Sequence, residues 1–141
     1  MASTAIETDL RLITFMLSSI PESVRMARFH IRAALGFHEL DDYADDAEII
    51  ISELVTNAIQ HVRGDGKETI GVTLARARNQ EGVTVVVSDS SPAGPVMREM
   101  PTDSTQGRGL QIVEALSAHW GWHPEGGGKA IFAILAREAG A

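Results

Sequence analysis

The chain has no cysteine. That excludes disulfide staples, thiolate nucleophiles and Cys-based zinc sites together, and it agrees with a cytoplasmic location. Basic residues are also short. Twelve Lys and Arg against nineteen Asp and Glu leave a net charge of −7, so general attraction to a nucleic-acid backbone is not expected. A role in transcription would run through another protein. No apolar run approaches the roughly eighteen residues that a bilayer span needs. The most signal-like stretch, "RLITFMLSSI" at 11–20, is short, broken by Thr14 and preceded by acids where a secretory signal carries bases. It reads as a strand. There is no Gly-x-Ser-x-Gly from which hydrolase chemistry could start.

What is present suffices for one ordinary domain: 141 residues, 44% of them hydrophobic, form a core without staples. Residues 1–9 read as a loose leader and 10–141 as a single domain, without repeats or an inter-domain linker. After the first strand, Pro21 opens a helix behind Ser19. Val24, Ala27, Ile31 and Leu35 follow at helical spacing, and Gly36 is expected to end it. "DDYADDAEIIISELVTNAIQHV" is a second helix, with acids in its first turn where the dipole favours them. "ETIGVTLARA" and the β-branched "VTVVVSDSS" read as strands. From Pro92 to Arg108 the composition turns to Pro, Gly, Ser, Thr and charge, a loop long enough to be functional. "GLQIVEALSAHW" is a third helix, "WGWHPEGGG" a turn and "KAIFAILARE" a closing strand. This order predicts a two-layer α/β sandwich, a mixed sheet with helices on one face.

On the second helix, Ala47, Ile51, Leu54, Val55, Ala58 and Val62 form one stripe that must face the sheet. Glu53, Asn57 and His61 follow each other at four-residue spacing along its border, where a pocket between helix and sheet has its wall. A solvated helix edge has the same spacing, so the row alone decides nothing. Two further signals join it. Asp89 ends the buried run in "VVVSDSSP"; it either caps a turn or accepts a hydrogen bond from an exocyclic amine at the mouth of the sheet. In "GRGLQIVEALS", Gly107 and Gly109 precede a helix. Such glycines let the backbone approach an anion, and a helix start offers unpaired N–H groups.

Glu-x-x-x-Asn on a helix, Asp after a β-run, a loop, then Gly-x-Gly-Leu opening a helix: in this order the chain resembles the GHKL (histidine kinase-like) ATPase family. Within it, the chain is similar to the serine-kinase branch of bacterial anti-sigma factors, in the short stand-alone form common in actinobacteria. The likeness runs from about Pro21 to Leu135, with "SELVTNAIQH" and "GRGLQIVEALSAHWG" its most specific parts. It implies a Bergerat sandwich that binds ATP with Mg²⁺. It implies that Asn57 offers its amide oxygen to Mg²⁺ and that Glu53 is the general base for a serine hydroxyl of a partner protein. Asp89 would accept from the adenine amine. Gly107, Arg108, Gly109 and Leu110 would wrap the phosphates, with Arg108 also offsetting charge on the transferred group. The loop would form a lid, and His61 would be a rim residue without a role. The implied partners are a sigma factor and a STAS-type anti-sigma antagonist, with a homodimer and without nucleic acid or membrane.

The sequence departs from the family at two places. Asp89 is followed by Ser90, Ser91, Pro92 and Ala93 rather than by the glycines of Asp-x-Gly-x-Gly. In "GGGKAIFAIL", Ala130 stands where a Thr often follows the Lys and helps to hold the adenine-binding Asp; weaker nucleotide binding is expected. Two other functions stay open. One is a nucleotide-weak protein-binding regulator of the same fold. The other is a histidine-kinase-like catalytic domain, disfavoured because no phosphoacceptor helix precedes the domain and the lid is short. "HPEGGGKA" does not make a P-loop, having His123 for the first Gly and Ala130 for the closing Ser or Thr. His119 and His123 have the spacing of zinc helices, but Gly121 interrupts and no Glu accompanies them, so a turn is expected. Trp120 and Trp122 read as packing aromatics.

Overall fold

A computed structural model describes residues 10–60, 68–77, 82–90 and 108–136. The chain forms β1 (Leu10–Ser18), α1 (Glu22–Phe37), a 3-10 turn (Asp41–Tyr43) running into α2 (Ala44–Gln60), β2 (Thr69–Arg76), β3 (Gly82–Asp89), α3 (Arg108–Leu116), β4 (His119–Glu125) and β5 (Gly128–Ala136). The sheet order is β1-β2-β3-β5-β4.

Every pairing in this sheet is antiparallel, where the sequence predicted a mixed sheet. The reason lies in the connections. Parallel neighbours need a crossover, but two helices between β1 and β2, one out and one back, return the chain to the end it left. Ser18 at the end of β1 accordingly pairs with Thr69 at the start of β2. The joins from β2 to β3 and from β4 to β5 are too short for a crossover.

The expected sandwich forms because strand alternation and helical period agree. Ile70, Val72 and Leu74 of β2, Val83, Val85 and Val87 of β3, and Ile131, Ala133 and Leu135 of β5 face the helices. They pack with Ala27, Ile31 and Leu35 of α1, with Ile51, Leu54, Val55 and Ala58 of α2, and with Leu110 and Val113 of α3. Each fully buried Leu or Ile side chain contributes about 1.5–3 kcal/mol. The opposite sheet face carries Thr14, Thr73, Val86 and Phe132, only partly covered.

Three boundaries differ from expectation. α1 runs through Gly36, which does not end it; the helix ends in a Schellman arrangement, with Leu40 N–H donating to Leu35 O at 2.8 Å and Glu39 N–H to Gly36 O at 3.1 Å. Glu39 takes the left-handed position, at φ 59°. α3 stops at Leu116 rather than at Trp120. There the Ser117 hydroxyl bonds Val113 O at 2.6 Å, and Ala118 N–H turns to Ile134 O at 2.8 Å on β5. The segment "HWGWHPE", expected as helix end and turn, is strand β4. Among the described residues no helix is long and apolar enough to cross a membrane.

Candidate functional site

The inward stripe of α2 fixes its rotation, so Glu53 and Asn57 sit one turn apart and half-buried on its border, as the spacing predicts. Partial loss of water pushes the Glu53 carboxyl above its ordinary pKa. The Asn57 side-chain oxygen is buried, with no hydrogen-bond partner among the described residues. Leaving such an acceptor unmet costs about 1–3 kcal/mol, and an amide oxygen is a ligand type that hard divalent cations use. The residue therefore fits a Mg²⁺ ligand. His61, the next in the row, lies outside the described residues.

The start of α3 meets this row. A Cβ at Gly109 would lie 2.9 Å from Glu53 Oε1 and 3.6 Å from Glu53 Cβ. The bare glycine lets the first turn of α3 close on the carboxyl of α2. Glu53 of the Glu-x-x-x-Asn row and Gly109 thus meet, though distant in sequence. The Leu110 side chain is 2% exposed and belongs to the core. As in any amphipathic helix, Leu110 and Val113 take the inner face, which leaves only the Leu110 backbone at the helix start. Arg108 opens α3. Its side chain, Gly107 and nearly all of the expected lid lie outside the described residues.

Asp89 ends β3 on the helix side of the sheet, directly across from Lys129 at the start of β5. The Lys129 ammonium lies 2.9 Å from one oxygen of the Asp89 carboxylate and 3.1 Å from the other. Both side chains are closed to water, at 0% and 2% exposure. Gly128 makes the close approach workable, since a Cβ there would lie 1.9 Å from the Asp89 carbonyl oxygen. Sequence reasoning missed Lys129. The signal was available, because Lys129, Ile131, Ala133 and Leu135 alternate in phase and share the buried face. The expectation for Ala130 is corrected accordingly: it pairs with Ser88 and His123 on the opposite face, so a hydroxyl there would not reach Asp89.

An open groove of about 460 Å³ runs along α1 and α2, from Arg28 and Arg32 past Glu48 and Ile49 to Ser52 and Glu53. Arg32 spans its wall, bound to Glu48 and, at 2.6 Å, to Asp45. Glu53 thereby borders a groove that is open to the outside. His119 and His123 alternate in phase on strand β4 and face away from the helices, and no group of three or more metal-ligating side chains occurs among the described residues.

Comparisons with known proteins place the fold. The family described as histidine kinase-like ATPase domain matches residues 17–135. Among solved structures, the RsbU and RsbW domains of Rv1364c from Mycobacterium tuberculosis superpose with a TM-score of 0.63 at 21% identity over 88% of this chain. This chain spans 32% of that one. A histidine kinase domain from the Erythrobacter litoralis EL346 blue-light activated histidine kinase gives a TM-score of 0.45 at 26% identity, over 67% of this chain and 45% of that one. A search of curated proteins finds no match. With the family match running from the end of β1 through all three helices to β5, the chain belongs to the histidine kinase-like ATPase domain family.

Proposed function

We propose that the chain is an ATP-dependent serine kinase of the anti-sigma-factor type. It holds a sigma factor and phosphorylates a serine on a STAS-type antagonist. One observation carries the reading: the buried Asn57 oxygen, without a partner among the described residues, lies one turn from Glu53, against whose carboxyl the first turn of α3 closes.

On this reading Asn57 holds Mg²⁺ through its side-chain oxygen, Asp89 contacts the base, and the segment Gly107–Leu110 turns backbone N–H groups to the phosphates. Bound Mg-ATP supplies the phosphoryl group and offsets its charge. Glu53 accepts the proton of the partner's serine hydroxyl as that oxygen bonds to phosphorus and the bond to the leaving diphosphate breaks. Partial burial suits Glu53 to this task, because a carboxyl shifted toward neutrality is a stronger base than an ordinary one. The groove along α1 and α2 gives the partner's serine a way to it.

The test is transfer of labelled phosphate from ATP to a STAS-type antagonist. Glu53→Ala is expected to keep nucleotide binding and stop transfer; equal transfer by variant and wild type refutes Glu53 as the base. One observation favours a second reading, a nucleotide-weak binding regulator: the Asp89 carboxylate is already engaged by Lys129.

A further inference from the structure

Arg25, Arg28 and Arg32 follow each other on α1 at helical spacing, so they share one stripe of its surface. Helical rise spreads them over about 10 Å. Together with Phe29, Ala33 and Glu48 they line an open pocket of about 460 Å³. It shares Arg28, Arg32 and Glu48 with the groove that reaches Glu53. Three cations against one acid reverse the balance of the whole chain, whose net charge is −7. The three are held differently. Arg32 is bound to Glu48 and Asp45, and Arg28 stands 3.6 Å from Glu48. Arg25 is exposed and has no acidic partner among the described residues. Phe29, one turn on from Arg25, is 69% exposed. A lone exposed Phe means little, but this one shares its pocket with a guanidinium that nothing engages.

We propose that this pocket docks an acidic segment of a partner protein, one that carries an apolar side chain close to its carboxylates. The carboxylates meet Arg25 and Arg28, and the apolar side chain lies against Phe29 and Ala33. Charge complementarity argues for this occupant, and the size of the pocket narrows it. A stripe of about 10 Å matches some three residues of extended chain. It is too short, and too close to Asp45 and Glu48, to track a nucleic-acid backbone. Because the pocket runs into the groove along Glu53, the docked segment is one that flanks the phosphate-accepting serine. That last step rests on the kinase reading above; recognition of an acidic segment does not.

The experiment is fluorescence anisotropy of the full chain, without nucleotide, against a labelled serine peptide with an Asp-Glu-Leu-Asp flank on each side. Its counterpart has Lys at every acid, and a labelled single strand of DNA is the third probe. The acidic peptide is expected to bind at least about tenfold more tightly than either of the others. Arg25→Glu is expected to weaken it about tenfold or more, and Phe29→Ser about fivefold. Arg76→Glu makes the same charge change at an exposed end of β2 outside the pocket, and is expected to stay within about twofold of wild type. No binding of the acidic peptide, equal binding of the Lys peptide, or equal losses from Arg25→Glu and Arg76→Glu each overturns the inference. So does tighter binding of the DNA, which would make the pocket a nucleic-acid contact. Adding Mg-ATP separates the two readings. An acidic peptide that binds through Arg25 but accepts no phosphate supports the docking site and counts against the kinase, whereas equal transfer to acidic and Lys peptides supports the kinase and overturns the docking site.

Discussion

The Lys129 ammonium bridges both carboxylate oxygens of Asp89 across the β3–β5 register, and water reaches neither side chain. Breaking such a pair from one side is expected to cost about 3–5 kcal/mol, since one charge stays buried. Lys129→Ala and Asp89→Ala should therefore shift the urea midpoint strongly. Asp89→Asn/Lys129→Met should cost clearly less than the two single losses added together. Additive costs would contradict a coupled pair.

Glu53 is expected to give stability a pH dependence. Its folded pKa is raised by lost solvation, so the folded chain holds this proton to higher pH than the unfolded chain does. Stability falls as pH rises from the ordinary carboxyl value of 4.5 through the raised folded value, and the loss is complete above it. Glu53→Gln removes the effect. Thermal melts should show the variant more stable than wild type at pH 8, on the order of a degree or two, with the gain vanishing near pH 4. A gain that grows toward acid contradicts this.

Gly109→Ala separates stability from site geometry. The added Cβ would meet Glu53 Oε1 at 2.9 Å, and a flexible carboxyl can swing away. Alanine also favours the helix by about 0.8–1.0 kcal/mol. Stability is expected to change by less than about 1 kcal/mol. With Glu53 displaced, phosphate transfer should fall about tenfold or more. A fall in transfer without displacement of Glu53 in a variant structure would remove the steric explanation.

Glu39 occupies the left-handed position that closes α1, at φ 59°. A non-glycine residue there carries a cost of about 1 kcal/mol. Glu39→Gly is expected to raise the stability measured by denaturant by about 0.5–1 kcal/mol, the remainder being offset by unfolded-state entropy. A loss of stability would mean that the Glu39 side chain matters more than its backbone angle.

The sequence was most legible where period and burial agree. The α2 stripe of Ala47, Ile51, Leu54, Val55 and Ala58 appears as its spacing predicts, and it fixes where Glu53 and Asn57 must lie. β4 was hidden by Gly121. Glycine between two Trp reads as a turn, but in the sheet it is the bare spot that Phe132 covers, its ring 2.9 Å from where a Cβ would be. Helical phase sends the Leu110 side chain to the core, so any part it has at the phosphate end is its backbone's. Lys129 was passed over because a lysine in an apolar strand only makes sense once its partner is known. That partner, Asp89, comes from a different strand, and strand register is not written in local sequence.

Calorimetric titration with Mg-ATP tests the central claim most directly, that Asn57 and the start of α3 form one nucleotide site. Wild type is predicted to bind at micromolar or tighter affinity, and Asn57→Ala to abolish the signal while keeping the fold. Absence of heat at millimolar nucleotide, or binding that survives Asn57→Ala unchanged, would contradict the account.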